Sequence, residues 1–169
     1  MEPNLIKIDI SLKERKEAIH SVSKIKNEFV SLQHNLYIIE NKKIINENVY
    51  RYRINFIEEC QIFKVHFPSQ PIVPGSCIVD IVKELIEDFQ NQKMALKEAN
   101  NICFYSLLSP ITDPVLDFYF EEEELPDNEN LEEHLFSHLY KVFLLLRKKD
   151  TLQDEGVLAE MHLVLEPKL

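Results

Sequence analysis

Glycine is scarce in this sequence: the 169 residues include eight prolines but only two glycines, Gly75 and Gly156. Glycine is the residue that adopts positive φ angles or admits a close neighbour without strain, so each of the two is expected to have a local backbone reason. Three cysteines are present, at positions 60, 77 and 103, and an odd number in unrelated contexts excludes a complete disulfide framework. Reduced thiols of this kind are typical of a cytoplasmic protein.

Long apolar runs and an excess of basic residues are also missing. No segment approaches the roughly 20 apolar residues that cross a bilayer, and the longest aliphatic run, residues 142–146, is at most a buried strand. Residues 1–26 lack the apolar core of a secretory signal. The 19 basic against 29 acidic side chains give a net charge of −10, which disfavours a nucleic-acid backbone as the partner. We therefore expect a cytoplasmic protein that binds neither membrane nor nucleic acid.

The length and the hydrophobic pattern predict a single α+β domain over residues 1–169. Apolar residues recur at i, i+3, i+4 and i+7 from residue 76 to about residue 93 and predict one long helix. Residues 1–34 form a mixed leader, in which Ser11 and Glu14 have the spacing of a capping box at a helix N-terminus. Short apolar or alternating runs predict strands at residues 36–39, 50–56, 62–67, 102–108, 115–122, 135–147 and 157–165.

One segment joins a predicted strand to the long helix. Pro68, Pro71 and Pro74 fall within seven residues there, and proline at this density favours a stiff, extended loop. Gly75 and Ser76 then stand where the helix begins. The first amides of a helix have no intrahelical partner, and the positive end of the helix dipole favours a negatively charged or polarised oxygen beside them.

Residues 63–80 resemble the active-site segment of the β-hydroxyacyl-acyl-carrier-protein dehydratases, whose pattern is F-x-G-H-F-P-G-x-P-x-x-P-G-x-x-x-x-[ED]. The later run at residues 104–110 resembles the strand of that family that ends in a proline turn. The resemblance implies the hotdog fold, an antiparallel sheet wrapped around one long helix, with residues 62–93 forming the active-site segment and the central helix. The chain matches the pattern at His66, Phe67, Pro68, Pro71, Pro74, Gly75 and Asp80.

By this resemblance His66 is the general base and Asp80 the general acid of a dehydration. A base that removes the α-proton of a thioester near neutral pH suits histidine, whose ordinary pKa is about 6.5. The amide of Gly75, with that of Ser76 beside it, is the implied anchor for the thioester oxygen.

Phe67 and Glu84 are the other implied contacts of the substrate, but the chain departs from the family pattern in three places. Val65 and Ser69 replace two glycines, and Glu84 replaces a glutamine that is common in the family. A positive φ at either glycine position would strain a β-branched valine in particular. These departures favour the alternative of a hotdog binding module that has kept the acyl-thioester groove but lost the chemistry. A hotdog thioesterase, in which a carboxylate activates water, is the third alternative.

The resemblance also implies a homodimer, or a dimer of dimers, in which one chain lends the histidine and the other the acidic residue. The implied reaction converts a (3R)-hydroxyacyl thioester into a trans-2-enoyl thioester in fatty-acid or related acyl-chain synthesis. The substrate is carried by an acyl carrier protein or, as the second choice, by coenzyme A, and no metal or redox cofactor is needed. Basic residues that could dock an acidic carrier protein stand at positions 42–43, 51, 53 and 147–149.

Each site residue also has an ordinary structural interpretation. His66 alone would be a hydrogen-bonded histidine without a chemical role. Asp80, Glu84 and Glu87 would be the solvated polar stripe of a helix, with Asp80 favoured by the helix dipole.

Two other groups of residues suggest structure rather than chemistry. Cys77 stands among aliphatic residues at the start of the long helix and is expected to be a buried core thiol. His134 and His138 are four residues apart, which on a strand separates them by about 13 Å and argues against a shared metal ion.

Overall fold

Three helices and six strands make up the described part of the computed structural model, which covers residues 12–66, 69–124, 140–149 and 156–168. None of the helices in these ranges is long and apolar enough to cross a membrane. In chain order the elements are α1 (Leu12–Glu28), β1 (Tyr37–Ile44), β2 (Val49–Phe56), α2 (Ile62–Val65), α3 (Gly75–Gln90), β3 (Met94–Phe104), β4 (Val115–Glu124), β5 (Tyr140–Lys148) and β6 (Val157–Pro167).

The six strands form one antiparallel sheet in the order β1-β2-β4-β5-β6-β3. Alternate side chains of β2 are buried, and the same alternation in β5 buries Val142, Leu144 and Leu146. These inward side chains form one core with the apolar face of α3, so that the sheet wraps around the long helix. The α+β class and the hotdog architecture implied by the sequence are confirmed.

Helix α3 supplies the other half of this core. Burying an aliphatic side chain contributes about 1.5–3 kcal/mol, so its apolar face fixes the helix against the sheet. The helix begins at Gly75, directly after Pro74, and is closed by Asn91, whose φ of 51° is left-handed. The fully buried side chains of this face are Cys77, Ile78, Ile81, Val82, Leu85 and Ile86.

The strand predicted at residues 62–67 is wrong, because residues 62–65 form the short helix α2, with His66 as its C-cap. Ile62 and Phe63 are adjacent and both buried. A helical turn permits this arrangement, whereas successive side chains of a strand point to opposite faces. An apolar run this short has too few positions to separate the helical period from the strand period.

The strand predicted at residues 102–108 has the wrong bounds, since β3 spans Met94–Phe104. β3 lies at the edge of the sheet, where β6 is its neighbour, and Met94 is its only buried residue. An edge strand with so little burial shows no alternation of apolar and polar residues, so its first half gives no sequence signal.

The leader contributes helix α1, which follows Ser11, the predicted cap, a residue outside the described ranges. Val22 is buried, and Ile25 and Phe29 pack against the core. Helix α1 also contacts α2. The leader is therefore held on the core by its own apolar side chains.

Candidate active site

His66 lies at the C-terminal end of α2, with its imidazole half-buried and Nδ1 2.9 Å from the carbonyl oxygen of Ile72. Burial lowers the pKa of His66 below its ordinary value, and the hydrogen bond to Ile72 offsets this only in part. A neutral ring that donates from Nδ1 carries its lone pair on Nε2. Ile72 precedes Gly75 by three residues, which span at most about 11 Å of chain, so the ring is tied to the start of α3.

The first turn of α3 presents backbone donors. The carbonyl of Pro74 accepts the amides of Cys77 and Ile78, at 3.0 and 3.2 Å. The amides of Gly75 and Ser76 have no hydrogen-bond acceptor among the described residues. Two donors and the positive end of the helix dipole therefore meet at this point.

A neighbouring side chain, and not the backbone conformation, explains why a glycine stands at position 75. Its φ is not positive, but a Cβ on it would lie 3.2 and 3.3 Å from two carbons of the Phe104 ring. Phe104 ends the edge strand β3 and is 42% exposed, so the ring is able to move. No motif in the sequence indicated Phe104 as part of this site.

The two residues that replace family glycines impose no backbone strain. Val65 is the last residue of α2, and neither Val65 nor Ser69 has a positive φ. The backbone therefore gives no reason for a loss of activity at either position.

Asp80 lies in the second turn of α3, where its carboxylate forms an ion pair with Lys26 of α1. The Asp80 side chain is 42% exposed and that of Lys26 is 22% exposed. An ion pair with this exposure stabilises a fold by at most about 1 kcal/mol. Lys26 and Asp80 are far apart in the sequence, and no motif linked them.

Glu84, one turn further along α3, holds the segment that leads from α1 into β1. One carboxylate oxygen accepts the amide of Leu32 (2.7 Å), and the other accepts the amide of Gln33 (3.1 Å) and the hydroxyl of Tyr37 (2.9 Å). Burial and the neighbouring carboxylate raise the pKa of Tyr37, so the phenol remains a donor. The substrate contact predicted for Glu84 stays a prediction, and the observed bonds give this residue a positioning role.

The acidic stripe of α3 is solvated only in part. Glu87 is only 7% exposed and accepts the amide of Met94 at 3.0 Å. Burial alone would raise the pKa of Glu87, but this amide together with Lys83 and Lys93 holds it below its ordinary value. The carboxylates of this stripe are therefore structural ties as well as charges.

Cys77 is fully buried, and burial raises its pKa to about 11, which confirms the predicted core thiol.

Two of the cations predicted to dock a carrier protein bind carboxylates of this chain. Lys42 pairs with Asp88, and Arg53 pairs with the buried Asp117. Their charges are therefore partly neutralised within the fold.

Some predictions fall outside the described ranges, namely those on Phe67, His134 and His138. In the part of the chain that the structure describes, no three His, Cys, Asp or Glu side chains are grouped to hold a metal ion.

Comparison with known proteins gives one family. The sequence profile of the ApeI-like family, described as ApeI dehydratase, matches residues 41–131, which is more than half of the chain. The matched range includes the segment from His66 to Asp80 and begins after α1. No curated protein matches the chain.

Several solved structures are similar to this chain at low identity. The dehydratase heterocomplex ApeI:P from Xenorhabdus doucetiae aligns with a TM-score of 0.48 and 13% identity, covering 76% of this chain and 96% of its own. A candidate thioesterase from Silicibacter sp. TM1040 aligns with a TM-score of 0.49 and 11% identity, covering 89% and 91%. A hypothetical thioesterase with coenzyme A from Streptococcus pneumoniae TIGR4 aligns with a TM-score of 0.42 and 8% identity, covering 87% and 96%.

Proposed function

Because this chain belongs to the ApeI-like dehydratase family, we propose that it removes water from a (3R)-hydroxyacyl thioester to give the trans-2-enoyl thioester. The observation that carries the proposal is the hydrogen bond between His66 and Ile72, which ties an imidazole to the start of α3. The amides of Gly75 and Ser76 begin that helix. A dehydration needs a base for the α-carbon and donors for the thioester oxygen at adjacent positions.

In the proposed reaction Nε2 of His66 takes the proton from C2, and the electron pair of that C–H bond forms the C2–C3 double bond. The lowered pKa of His66 keeps the ring unprotonated before this step. Negative charge that develops on the thioester oxygen is stabilised by the amides of Gly75 and Ser76. Removing one donor of this kind costs about 10²–10³ in rate.

Asp80 is proposed to give its proton to the hydroxyl at C3, so that the C3–O bond breaks and the oxygen leaves as water. The proton taken up by His66 then returns to Asp80 through solvent, and both groups are reset. Asp80 must be released from Lys26 for this step, because a carboxylate that accepts from an ammonium group has no proton to donate.

The proposed working form is a homodimer in which His66 of one chain and Asp80 of the other share a site, as the family resemblance implies. Support comes from β3, an edge strand with the exposed apolar side chains Leu96, Ile102 and Phe104. Such edges are normally paired or covered. Pairing of β3 with the same strand of a second chain would bring Phe104, which covers Gly75, to the interface.

The acyl group is proposed to arrive on an acyl carrier protein of fatty-acid or related acyl-chain synthesis in the cytoplasm, with coenzyme A as the second choice. An acidic carrier needs a local basic patch on a chain whose net charge is −10. Lys43 and Lys149 are exposed and support such a patch better than Lys42 and Arg53, which bind carboxylates of their own chain.

A binding module without chemistry is the second candidate function, and the ion pair between Lys26 and Asp80 favours it. A chain that never released Asp80 would bind acyl thioesters at the same site without turning them over. The two candidates share a fold and a ligand, so a rate measurement has to separate them.

The test is a hydration and dehydration assay with 3-hydroxyacyl and 2-enoyl thioesters of several chain lengths, each on carrier protein and on coenzyme A. We expect interconversion by the wild type and a rate about 10²–10⁴ lower in His66→Ala, with the same melting temperature. Binding without interconversion would support the module. Release of free thiol without interconversion would indicate a thioesterase and contradict the proposal.

A further inference from the structure

The N-terminal strap, defined as residues 12–37, reaches both elements that carry the candidate base and acid. Helix α1 contacts α2, at whose end His66 lies. Its last turn brings Lys26 to Asp80 on α3. The family match covers residues 41–131, so the strap lies outside the matched range.

The strap is anchored to the rest of the fold on both sides of Lys26. Val22 is buried in the core, and Glu84 accepts the amides of Leu32 and Gln33. The ammonium of Lys26 is held by the ion pair with Asp80, whose side chain is 42% exposed. Lysine carries its charge on a flexible four-carbon stem, so the ammonium can leave Asp80 while α1 stays in place.

We propose that Lys26 inhibits the dehydration by occupying Asp80, and that each turnover requires the ammonium to leave. The inference rests on the proposed role of Asp80 as the acid. A carboxylate oxygen bound to an ammonium group is an acceptor, and it has to release that group and take up a proton before it can donate one. A partly exposed ion pair favours the occupied state by only about two- to fivefold, so the released state remains accessible to substrate.

Carboxyl labelling measures the occupancy of Asp80 without turnover. The protein is treated with a water-soluble carbodiimide and glycine ethyl ester, and the labelling rate of Asp80 is followed by peptide mass spectrometry. In Lys26→Met we expect this rate to rise about three- to sixfold, because an occupied state favoured two- to fivefold leaves Asp80 released only a third to a sixth of the time. Lys24→Met removes an exposed lysine of the same helix and serves as the matched control, with a wild-type rate expected. Lys26→Arg keeps the ion pair and is expected to behave like the wild type.

The rate of dehydration is the second readout. We expect kcat/KM of Lys26→Met to rise by the same factor as the labelling of Asp80, and that of Lys24→Met to stay unchanged. High salt is expected to raise the wild-type value, because salt screens a partly exposed ion pair, and to leave Lys26→Met unaffected. A merely structural role of Lys26 would produce neither the increase nor the difference in salt dependence.

Unchanged labelling of Asp80 in Lys26→Met and in the milder Lys26→Gln, both with wild-type circular dichroism, overturns the proposal. Increased labelling without an increase in kcat/KM, in a protein that dehydrates its substrate, overturns the inhibition. If neither the wild type nor any variant dehydrates a thioester, the proposed function fails instead. In that case the labelling rates alone decide whether Lys26 occupies Asp80: a higher rate in Lys26→Met supports the occupancy, and an unchanged rate overturns it.

Discussion

The ring of Phe104 lies 3.2 Å from the position that a Cβ of residue 75 would take, so an aromatic side chain of the edge strand covers the first residue of α3. The contact explains why glycine stands at a position whose φ any residue could adopt. It also joins β3, the strand proposed to meet a second chain, to the amide proposed to hold the thioester.

We expect Gly75→Ala to lower kcat about 10- to 100-fold, because a methyl group displaces the thioester from the amide. Its free energy of unfolding should fall by at most about 1 kcal/mol, since the partly exposed Phe104 ring can move aside. Urea denaturation and steady-state kinetics measure the two effects. The control is Gly75→Ala with Phe104→Leu, which makes room for the methyl group and should restore stability but not kcat. Proportional loss of both quantities in Gly75→Ala, with both restored in the double variant, would make Gly75 a packing residue only.

The pH dependence of kcat/KM reports on His66. Burial lowers the pKa of its imidazole from the ordinary 6.5, so the acid limb of the profile should have its midpoint below pH 6.5, and activity should rise as the pH increases through that midpoint. A midpoint clearly above 6.5 would be incompatible with a buried, neutral base.

The free energy of unfolding should also depend on pH through the protonation of His66. Because the pKa of His66 is lower in the folded than in the unfolded chain, the unfolded state binds more protons between those two values. The free energy of unfolding should therefore fall as the pH drops from 6.5 through the folded-state pKa. In His66→Gln this part of the pH dependence should be absent. An unchanged pH dependence of unfolding in that variant would contradict the lowered pKa of His66.

Glu84 is expected to govern stability. Glu84→Ala leaves the amides of Leu32 and Gln33 and the hydroxyl of Tyr37 without their acceptor, at a cost of about 2–4 kcal/mol. Tyr37→Phe removes one of the three bonds and should cost about 1 kcal/mol. Urea denaturation of both variants measures these losses. A large rise in KM of Glu84→Gln with unchanged stability would instead favour the direct substrate contact that the sequence suggested.

The sequence predicted the parts of the site that depend on local spacing. The proline-rich segment from His66 to Asp80 lies within one continuous stretch, and the apolar residues of α3 keep a clear helical period. Helix α2 was missed because Ile62 and Phe63 form too short an apolar run to show a period. The first half of β3 was missed because an exposed edge strand has no buried face to alternate with its polar face.

Lys26 and Phe104 could not be predicted in any comparable way. Each reaches α3 from an element distant in sequence. Lys26 belongs to no motif, and the resemblance of residues 104–110 to a family strand gives Phe104 no role at the site. Long-range contacts of single side chains depend on how whole elements pack, which hydrophobic periodicity does not encode.

The shared site is tested by mixing two inactive proteins. In analytical ultracentrifugation we expect a dimer, a species with twice the 20.0 kDa mass of one chain. Mixing His66→Ala with Asp80→Asn under conditions that exchange subunits should recover up to about a quarter of the wild-type rate, since half of the random dimers then carry one intact site. Mixed proteins that stay as inactive as the single variants would place both residues of the pair in one chain.

The most direct test of the chemistry is the dehydration rate of a 3-hydroxyacyl thioester in a double-mutant cycle of His66→Ala and Asp80→Asn. If His66 removes the C2 proton while Asp80 protonates the leaving hydroxyl, each single variant should lose about 10²–10⁴ in kcat. The double variant should then lose little more than the worse single one, because the two groups act in one step. Single variants that dehydrate the thioester at nearly the wild-type rate would contradict the assignment of the pair.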